Sequence, residues 1–421
     1  MRIGVEGGHP LRGMYRPGGN SNAALALIAA SLLTDEAVTL KNVPGTASVE
    51  LMLAVAGMLG TQVERDGGSI RLVTPAITTR TLNREMTGAK VAVALFMAAL
   101  LARREYLRLE VDYPVSRLYT HLTALRDLGC RVTVSGGQVD VHFVPWESRE
   151  IMLAQTSVTA TAIAAMLAAV HPGQTIIRNA ASEPHIRDLL HMLVAMGANV
   201  EGIGSNVLHI HGRENLRGTE QTIAPDHIEI ASVAAMAALT GGRLEIEGVR
   251  AQDLTMIRKV YARLGLRLDV DGNHLHVPRH EDFVISSQEE EVDVSIETAP
   301  WPGFPSDLVG MATLIATQAQ GTILIHEKLF KDRLLFIDKL KGLGAQIVLC
   351  DPHRAVVIGP TPLQADYLDT PDVRAGLAML GAALCAKGET VIDGAELLDW
   401  NFDGVLPKLE ELGAQIRVLE R

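Results

Sequence analysis

The sequence predicts an α/β chain of two domains, built from six copies of one strand–helix–strand–helix–strand–strand unit. Three observations predict it. A length of 421 residues exceeds one ordinary core and suits two domains of about 200 residues each. A Leu-Gly or Met-Gly pair followed by an alternating strand recurs six times, with its glycines at 60, 129, 197, 265, 344 and 413. Between these copies, Ala-rich helical stretches alternate with β-prone runs.

The glycines are spaced 69, 68, 68, 79 and 69 residues apart, four near-equal intervals and one longer. In Leu59-Gly60-Thr61-Gln62-Val63 or Leu412-Gly413-Ala414-Gln415-Ile416, a helical tail ends at the glycine and a strand follows. Glycine suits the left-handed position that closes a helix. The other half of the unit is an Ala-rich helix and then a strand: 22–33 then 37–40, 158–170 then 175–177, 228–239 then 243–246. The same pair recurs at 308–316 then 322–325 and at 373–386 then 390–392. Turns such as Asp66-Gly67-Gly68 and Ser135-Gly136-Gly137 join the last two strands into a hairpin. Hairpins interrupt parallel order, so one continuous Rossmann sheet is excluded. Three units around a pseudo-threefold axis, twice over, would bury the Ala-rich helices between sheets. A stacked solenoid is the competing arrangement, but its repeats usually span about 20–50 residues.

Composition narrows the function. Apolar residues make up 48% and charged residues 21%, the balance of a soluble globular chain. The longest apolar run, Val91 to Ala102, is closed by Lys90 and Arg103 and is too short to span a membrane. Met1-Arg2-Ile3-Gly4-Val5 reads as a strand rather than a signal peptide. Cys130, Cys350 and Cys385 lack metal-type spacing and suit reduced thiols in a cytoplasm. A net charge of −11 argues against bulk nucleic-acid binding, though not against a local cationic pocket.

Several motifs carry a resemblance. They are Pro17-Gly18-Gly19-Asn20-Ser21-Asn22-Ala23-Ala24-Leu25, Asn179-Ala180-Ala181-Ser182-Glu183-Pro184 and Pro225-Asp226-His227-Ile228-Glu229. Ala299-Pro300-Trp301-Pro302-Gly303-Phe304-Pro305-Ser306-Asp307 is the most specific, followed by Phe330-Lys331-Asp332-Arg333 and Asp372-Val373-Arg374. In this order, over nearly the full length, the chain resembles the UDP-N-acetylglucosamine enolpyruvyl transferases. The resemblance implies a two-lobed inside-out α/β barrel, with six repeats and three per lobe. One lobe would hold residues 21–225 with an active-site loop near 110–117, and the other residues 1–20 plus 226–421. The active site would lie in a cleft that closes on the acceptor. The implied reaction moves the enolpyruvyl group of phosphoenolpyruvate to the 3-hydroxyl of UDP-N-acetylglucosamine, an early cytoplasmic step towards peptidoglycan. Its partners are small molecules, with no nucleic acid and no membrane, and it needs neither cofactor nor metal.

The chemistry explains the residue types. Phosphoenolpyruvate carries a phosphate and a carboxylate, for which arginine forks are suited. The resemblance places Arg117, Arg333 and Arg374 in that role, and Asn22, His121, Ser157, Val158, Glu183 and Asp226 among the substrate-binding positions. Addition requires a base for the acceptor hydroxyl and an acid for carbon 3; phosphate departs on elimination. Asp307 matches the acidic residue beside the hydroxyl, and its position before 308–316 also fits a helix N-cap. Asp112 stands where the family's loop usually has a cysteine. It reads either as a buried, protonated acid or as a solvated loop carboxylate.

Departures from the pattern concentrate on charge. Ser21 replaces a lysine, Trp400 and Thr87 replace arginines, Gln155 replaces a lysine, and the loop between Arg117 and His121 is one residue short. These departures leave open a paralogue with another nucleotide-like acceptor, or a non-catalytic binding protein on the same scaffold.

Overall fold

The computed structural model describes residues 1–88, 90–286, 294–369 and 375–420. Arg374, with the rest of its motif, lies outside the described residues. The repeated glycine sets the local geometry. All six have positive φ, from 83° at Gly265 to 116° at Gly197. At Gly60 a side chain is excluded twice over: φ is 109°, and a Cβ would stand 2.5 Å from the carbonyl oxygen of Ala76. Here the chain leaves helix Ala47–Met58 and enters strand Gln62–Asp66.

Among the described residues the strands form six separate four-stranded sheets. Ser148–Met152 runs parallel to Gln174–Arg178, which pairs antiparallel with Val207–His211, itself antiparallel to Asn199–Glu201. One parallel edge recurs in every sheet, and a hairpin in five of them; in the sixth the two ends of the chain, Arg2–Glu6 and Gln415–Glu420, make the equivalent antiparallel pair. The ten extra residues of the fourth glycine interval follow strand His274–Val277, ahead of Ser295–Glu297.

The chain divides into two compact units, Gly19–Ala224 and Met1–Gly18 with Pro225–Arg421. In the first, Thr219–Thr222 returns to pair in parallel with Val38–Lys41. Helices Ser21–Ser31, Met97–Arg104 and Val158–Val170 pack on one another at its centre. Ten of the eleven residues of Ser21–Ser31 are buried. A helix apolar on every face has to sit inside. In the second unit the inner helices are His227–Leu239, Val309–Gln318 and Gly376–Cys385. Small residues permit their close approach: a Cβ on Gly310 would stand 3.1 Å from Ala378 Cβ, and one on Gly381 2.9 Å from Leu314 Cδ2. Helices inside and sheets outside reverse the ordinary barrel.

Both chain ends build the second unit. Arg2–Glu6 lies between Glu389–Asp393 and Gln415–Glu420, and Arg12–Tyr15 pairs in parallel with Arg243–Glu247. A buried carboxylate ties these segments together. Glu229, 1% exposed in its side chain, accepts the Tyr15 hydroxyl at 2.6 Å, the Gly18 N–H at 3.1 Å and the Lys408 ammonium at 3.4 Å. Beside it, Asp226 caps His227–Leu239, accepting from the N–H groups of Ile228 (2.8 Å) and Glu229 (3.2 Å). Burial, aided by the charges of Glu229 and Asp307, pushes the Asp226 carboxyl up to about 7, against the pull of those two N–H groups.

Two stability predictions follow from this geometry. At Gly413 φ is 106°, but the nearest atom to a Cβ is 3.6 Å away. Gly413→Ala should therefore lose only the left-handed penalty of about 1–2 kcal/mol, and Gly60→Ala distinctly more. Urea midpoints check this, and equal losses would remove the steric part of the account. For Asp226, the folded pKa lies above the ordinary value near ~3.9, so the fold holds an extra proton between the two. That contribution is lost as pH rises towards 7. Asp226→Asn keeps the cap and removes the titration, so its melting temperature relative to the unchanged chain should climb from pH 4 to pH 8. A difference that stays flat with pH would contradict it.

Candidate functional site

In the unit Gly19–Ala224, the candidate residues gather at the starts of helices. Asn20 caps Ser21–Ser31, its Oδ1 accepting the Ala23 N–H at 2.9 Å, and Asn22 is the residue of that helix left exposed. Gly19 lets this segment in, because a Cβ there would fall 2.0 Å from the Asn42 carbonyl oxygen. Ser157 caps Val158–Val170, its hydroxyl accepting the Ala160 N–H at 3.3 Å. His121, in the first turn of Tyr119–Asp127, is buried and reaches across to the helix that Ser157 caps: its Nε2 is 2.5 Å from Thr159 Oγ1. Burial pushes His121 down to about 4, so its ring is neutral near pH 7. His121, Ser157 and Val158 are thus brought together. Glu183, half-buried, precedes helix Pro184–Met196.

The loop carrying Asp112 and Arg117 has a different character. Arg117 is exposed on the short 3-10 turn Val115–Leu118, its guanidinium 5.8 Å from the centre of the Tyr113 ring. Asp112 is solvent-exposed and lies 3.4 Å from Arg84 Nε. Of its two sequence readings, the solvated carboxylate describes this arrangement. Arg84 was not singled out by sequence; it lies one turn before Thr87, and that spacing was the available signal.

In the other unit, Asp307 and Arg333 meet directly. Arg333 Nη1 donates to Asp307 Oδ1 at 2.7 Å, with the arginine side chain 8% exposed and the aspartate 48%. The guanidinium stacks on Phe330 at 4.6 Å, and its buried Nε finds no acceptor among the described residues. Asp307 sits inside the 3-10 turn Ser306–Leu308, and neither that turn nor helix Val309–Gln318 has a side-chain cap. The N-cap reading of Asp307 is therefore replaced by an ion pair. Asp226 shares this neighbourhood, since Asp307 contributes to raising its pKa.

Two of the positions that depart from the family pattern, Ser21 and Thr87, are closed by buried hydroxyl contacts. Ser21, buried, lies 3.1 Å from Thr46 Oγ1, which is 3.3 Å from Ser48 Oγ. Thr87, also buried, donates to the Glu110 carbonyl at 2.8 Å. Trp400 ends the 3-10 stretch Ala395–Trp400, half-buried, and Gln155 is exposed.

Helix starts expose unpaired N–H groups and the positive end of the helix dipole, which suits phosphate and carboxylate ligands. A carboxylate held by a buried guanidinium adds a candidate base. The helix starts of the first unit suit an anionic ligand, and the Asp307–Arg333 pair of the second can accept a proton.

The comparisons with known proteins agree with this chemistry. The family described as EPSP synthase (3-phosphoshikimate 1-carboxyvinyltransferase) matches residues 5–409. The UDP-N-acetylglucosamine 1-carboxyvinyltransferase of Treponema denticola is 40% identical over 423 residues, covering 99% of each chain. That of Bradyrhizobium diazoefficiens is 40% identical over 427 residues, covering 99% of this chain and 98% of its own. Among solved structures, the enolpyruvyl transferase NikO from Streptomyces tendae matches with a TM-score of 0.88 at 23% identity, covering 99% of this chain and 98% of that one. EPSP synthase from Acinetobacter baumannii matches at 0.76 and 16%, covering 99% and 100%. These two structures share the two-lobed inside-out fold. Alike in repeats, in fold and in sequence from end to end, the chain belongs to the enolpyruvyl transferase family, beside the UDP-N-acetylglucosamine 1-carboxyvinyltransferases.

Proposed function

We propose that this protein transfers the enolpyruvyl group of phosphoenolpyruvate to the 3-hydroxyl of UDP-N-acetylglucosamine with release of phosphate, in the cytoplasm, for peptidoglycan precursor synthesis. The observation that carries the reading is the Asp307–Arg333 pair, at 2.7 Å, inside the two most telling motifs. Asp307 takes the proton of the acceptor hydroxyl as its oxygen bonds to carbon 2. Arg333, Arg374 and Arg117 hold the anionic groups. Asp112 gives carbon 3 its proton, which requires this solvated carboxylate first to leave Arg84 and take up a proton. Asn22, His121, Ser157, Val158, Glu183 and Asp226 form and support the acceptor-binding surface. Elimination then breaks the bond between carbon 2 and the phosphate oxygen, returns the carbon 3 proton to Asp112, and lets Asp307 pass the hydroxyl proton to the departing phosphate. Every step is proton transfer and charge stabilisation, for which these side chains suffice. Among the described residues, no helix is long and apolar enough to cross a membrane.

One observation favours a second acceptor. Ser21 and Thr87, where the family pattern has cations, are locked in buried hydroxyl contacts. A pocket so altered suits a different hydroxylated, nucleotide-like acceptor. Phosphate release from phosphoenolpyruvate, assayed with UDP-N-acetylglucosamine, other UDP-sugars, uridine nucleotides and shikimate 3-phosphate, decides between the two. Release with UDP-N-acetylglucosamine upholds the first reading; release only with another acceptor moves the protein to the second.

Asp307→Asn should lower turnover by about 10²–10⁴-fold, the usual weight of general base catalysis, and should also lower the melting temperature while leaving the protein folded, because the buried Arg333 guanidinium loses its carboxylate partner. Near-full activity in that variant would remove Asp307 from the chemistry. Each missing cation costs about 1.5–3 kcal/mol of charged hydrogen bonding. Calorimetry should accordingly show phosphoenolpyruvate binding to the free protein weaker than micromolar, and a micromolar isotherm would contradict the charge argument.

A further inference from the structure

We propose that Glu327 is a positioning residue that holds Asp307 and Arg333 in register with each other. Glu327 is fully buried and directly follows strand Gly321–His326. Its two carboxyl oxygens serve two different segments. Oε2 accepts the Ser306 hydroxyl at 2.6 Å, and Ser306 is the neighbour of Asp307 in the turn Ser306–Leu308. Oε1 accepts the backbone N–H groups of Leu329 at 2.8 Å and Phe330 at 3.1 Å. Phe330 carries the ring on which the Arg333 guanidinium rests, 4.6 Å away. One carboxyl group therefore spans both halves of the pair.

The clamp is itself anchored. The Glu327 N–H donates to the His353 carbonyl at 2.8 Å, and His353 Nδ1 lies 2.8 Å from the Glu327 carbonyl oxygen. All three partners of the carboxyl group are donors, so it satisfies buried N–H and O–H groups that would otherwise be stranded. Two loops that carry reacting groups need such a common reference, because displacement of about 1 Å can cost on the order of 10²-fold in rate. Glu327 acts through Ser306 and Phe330.

The inference rests on the proposed role of Asp307 as base, and its test separates the two. Kinetics of phosphate release should show kcat reduced about 10–100-fold in Glu327→Ala, with KM within about threefold. Glu327→Gln should recover most of the loss, since the amide oxygen can take the two N–H groups and the amide nitrogen can donate to Ser306. In an Asp307→Asn background, Glu327→Ala should add clearly less than its full single-variant loss, because only the Arg333 half of the pair is left to position. A folded Glu327→Ala protein with unchanged kcat overturns the proposal, and so does a full additive loss in the double variant. If Glu327→Ala does not fold, Ser306→Ala removes one arm of the clamp and is judged by the same criteria. If Asp307→Asn alone keeps its activity, the base assignment fails instead. A crystal structure of the clamp variant then decides: a separated Asp307–Arg333 pair upholds positioning, and an intact one overturns it.

Discussion

The carboxylate of Glu229 joins parts of the chain that are far apart in sequence. Tyr15 and Gly18 come from the first segment, Lys408 from the last helix, and Glu229 itself from an inner helix. The unit to which it belongs is closed only when both ends of the chain have returned to it, with Arg2–Glu6 paired on both sides. Burying an unpaired carboxylate would be prohibitive, and three donors make this one tolerable. Burial raises the Tyr15 hydroxyl far above its ordinary pKa, and Glu229 reinforces it, so the phenol remains a donor. Asp226, next in line, caps the same helix and lies within the influence of Asp307. The fold's closure and the candidate base are therefore electrostatic neighbours.

Much of the architecture was legible because it rests on local rules. A left-handed glycine ending a helix is a single-residue requirement, and at Gly60 it is enforced by a backbone oxygen as well. Helices such as 158–170, without a charged residue, announce their inner position by being apolar or small on every face. The pairing of chain ends is a different matter. That Arg2–Glu6 would slot between Glu389–Asp393 and Gln415–Glu420 has no local signature, because strand order depends on the assembled unit.

The candidate site was legible in part for the same reason. Motif residues Asp307 and Arg333 could be named from sequence, but not their 2.7 Å contact, which spans 26 residues beside the buried Glu327 that accepts from Ser306. Glu327 resembles any strand-end glutamate in the sequence, and Glu229, although it closes a motif, shows nothing there of its distant partners; their burial appears only in the fold. Asp112 illustrates the reverse. Its alternatives turned on solvent exposure, a property of the folded loop rather than of residue order.

The central claim is that this scaffold, despite closed hydroxyl contacts at Ser21 and Thr87, still builds an enolpyruvyl ether. The most direct measurement is proton and phosphorus nuclear magnetic resonance of the product formed from phosphoenolpyruvate and UDP-N-acetylglucosamine. The account predicts inorganic phosphate together with a pair of vinyl protons on a carboxyvinyl ether at the 3-oxygen of the sugar. Inorganic phosphate with plain pyruvate, or an unaltered nucleotide sugar after prolonged incubation, would contradict it.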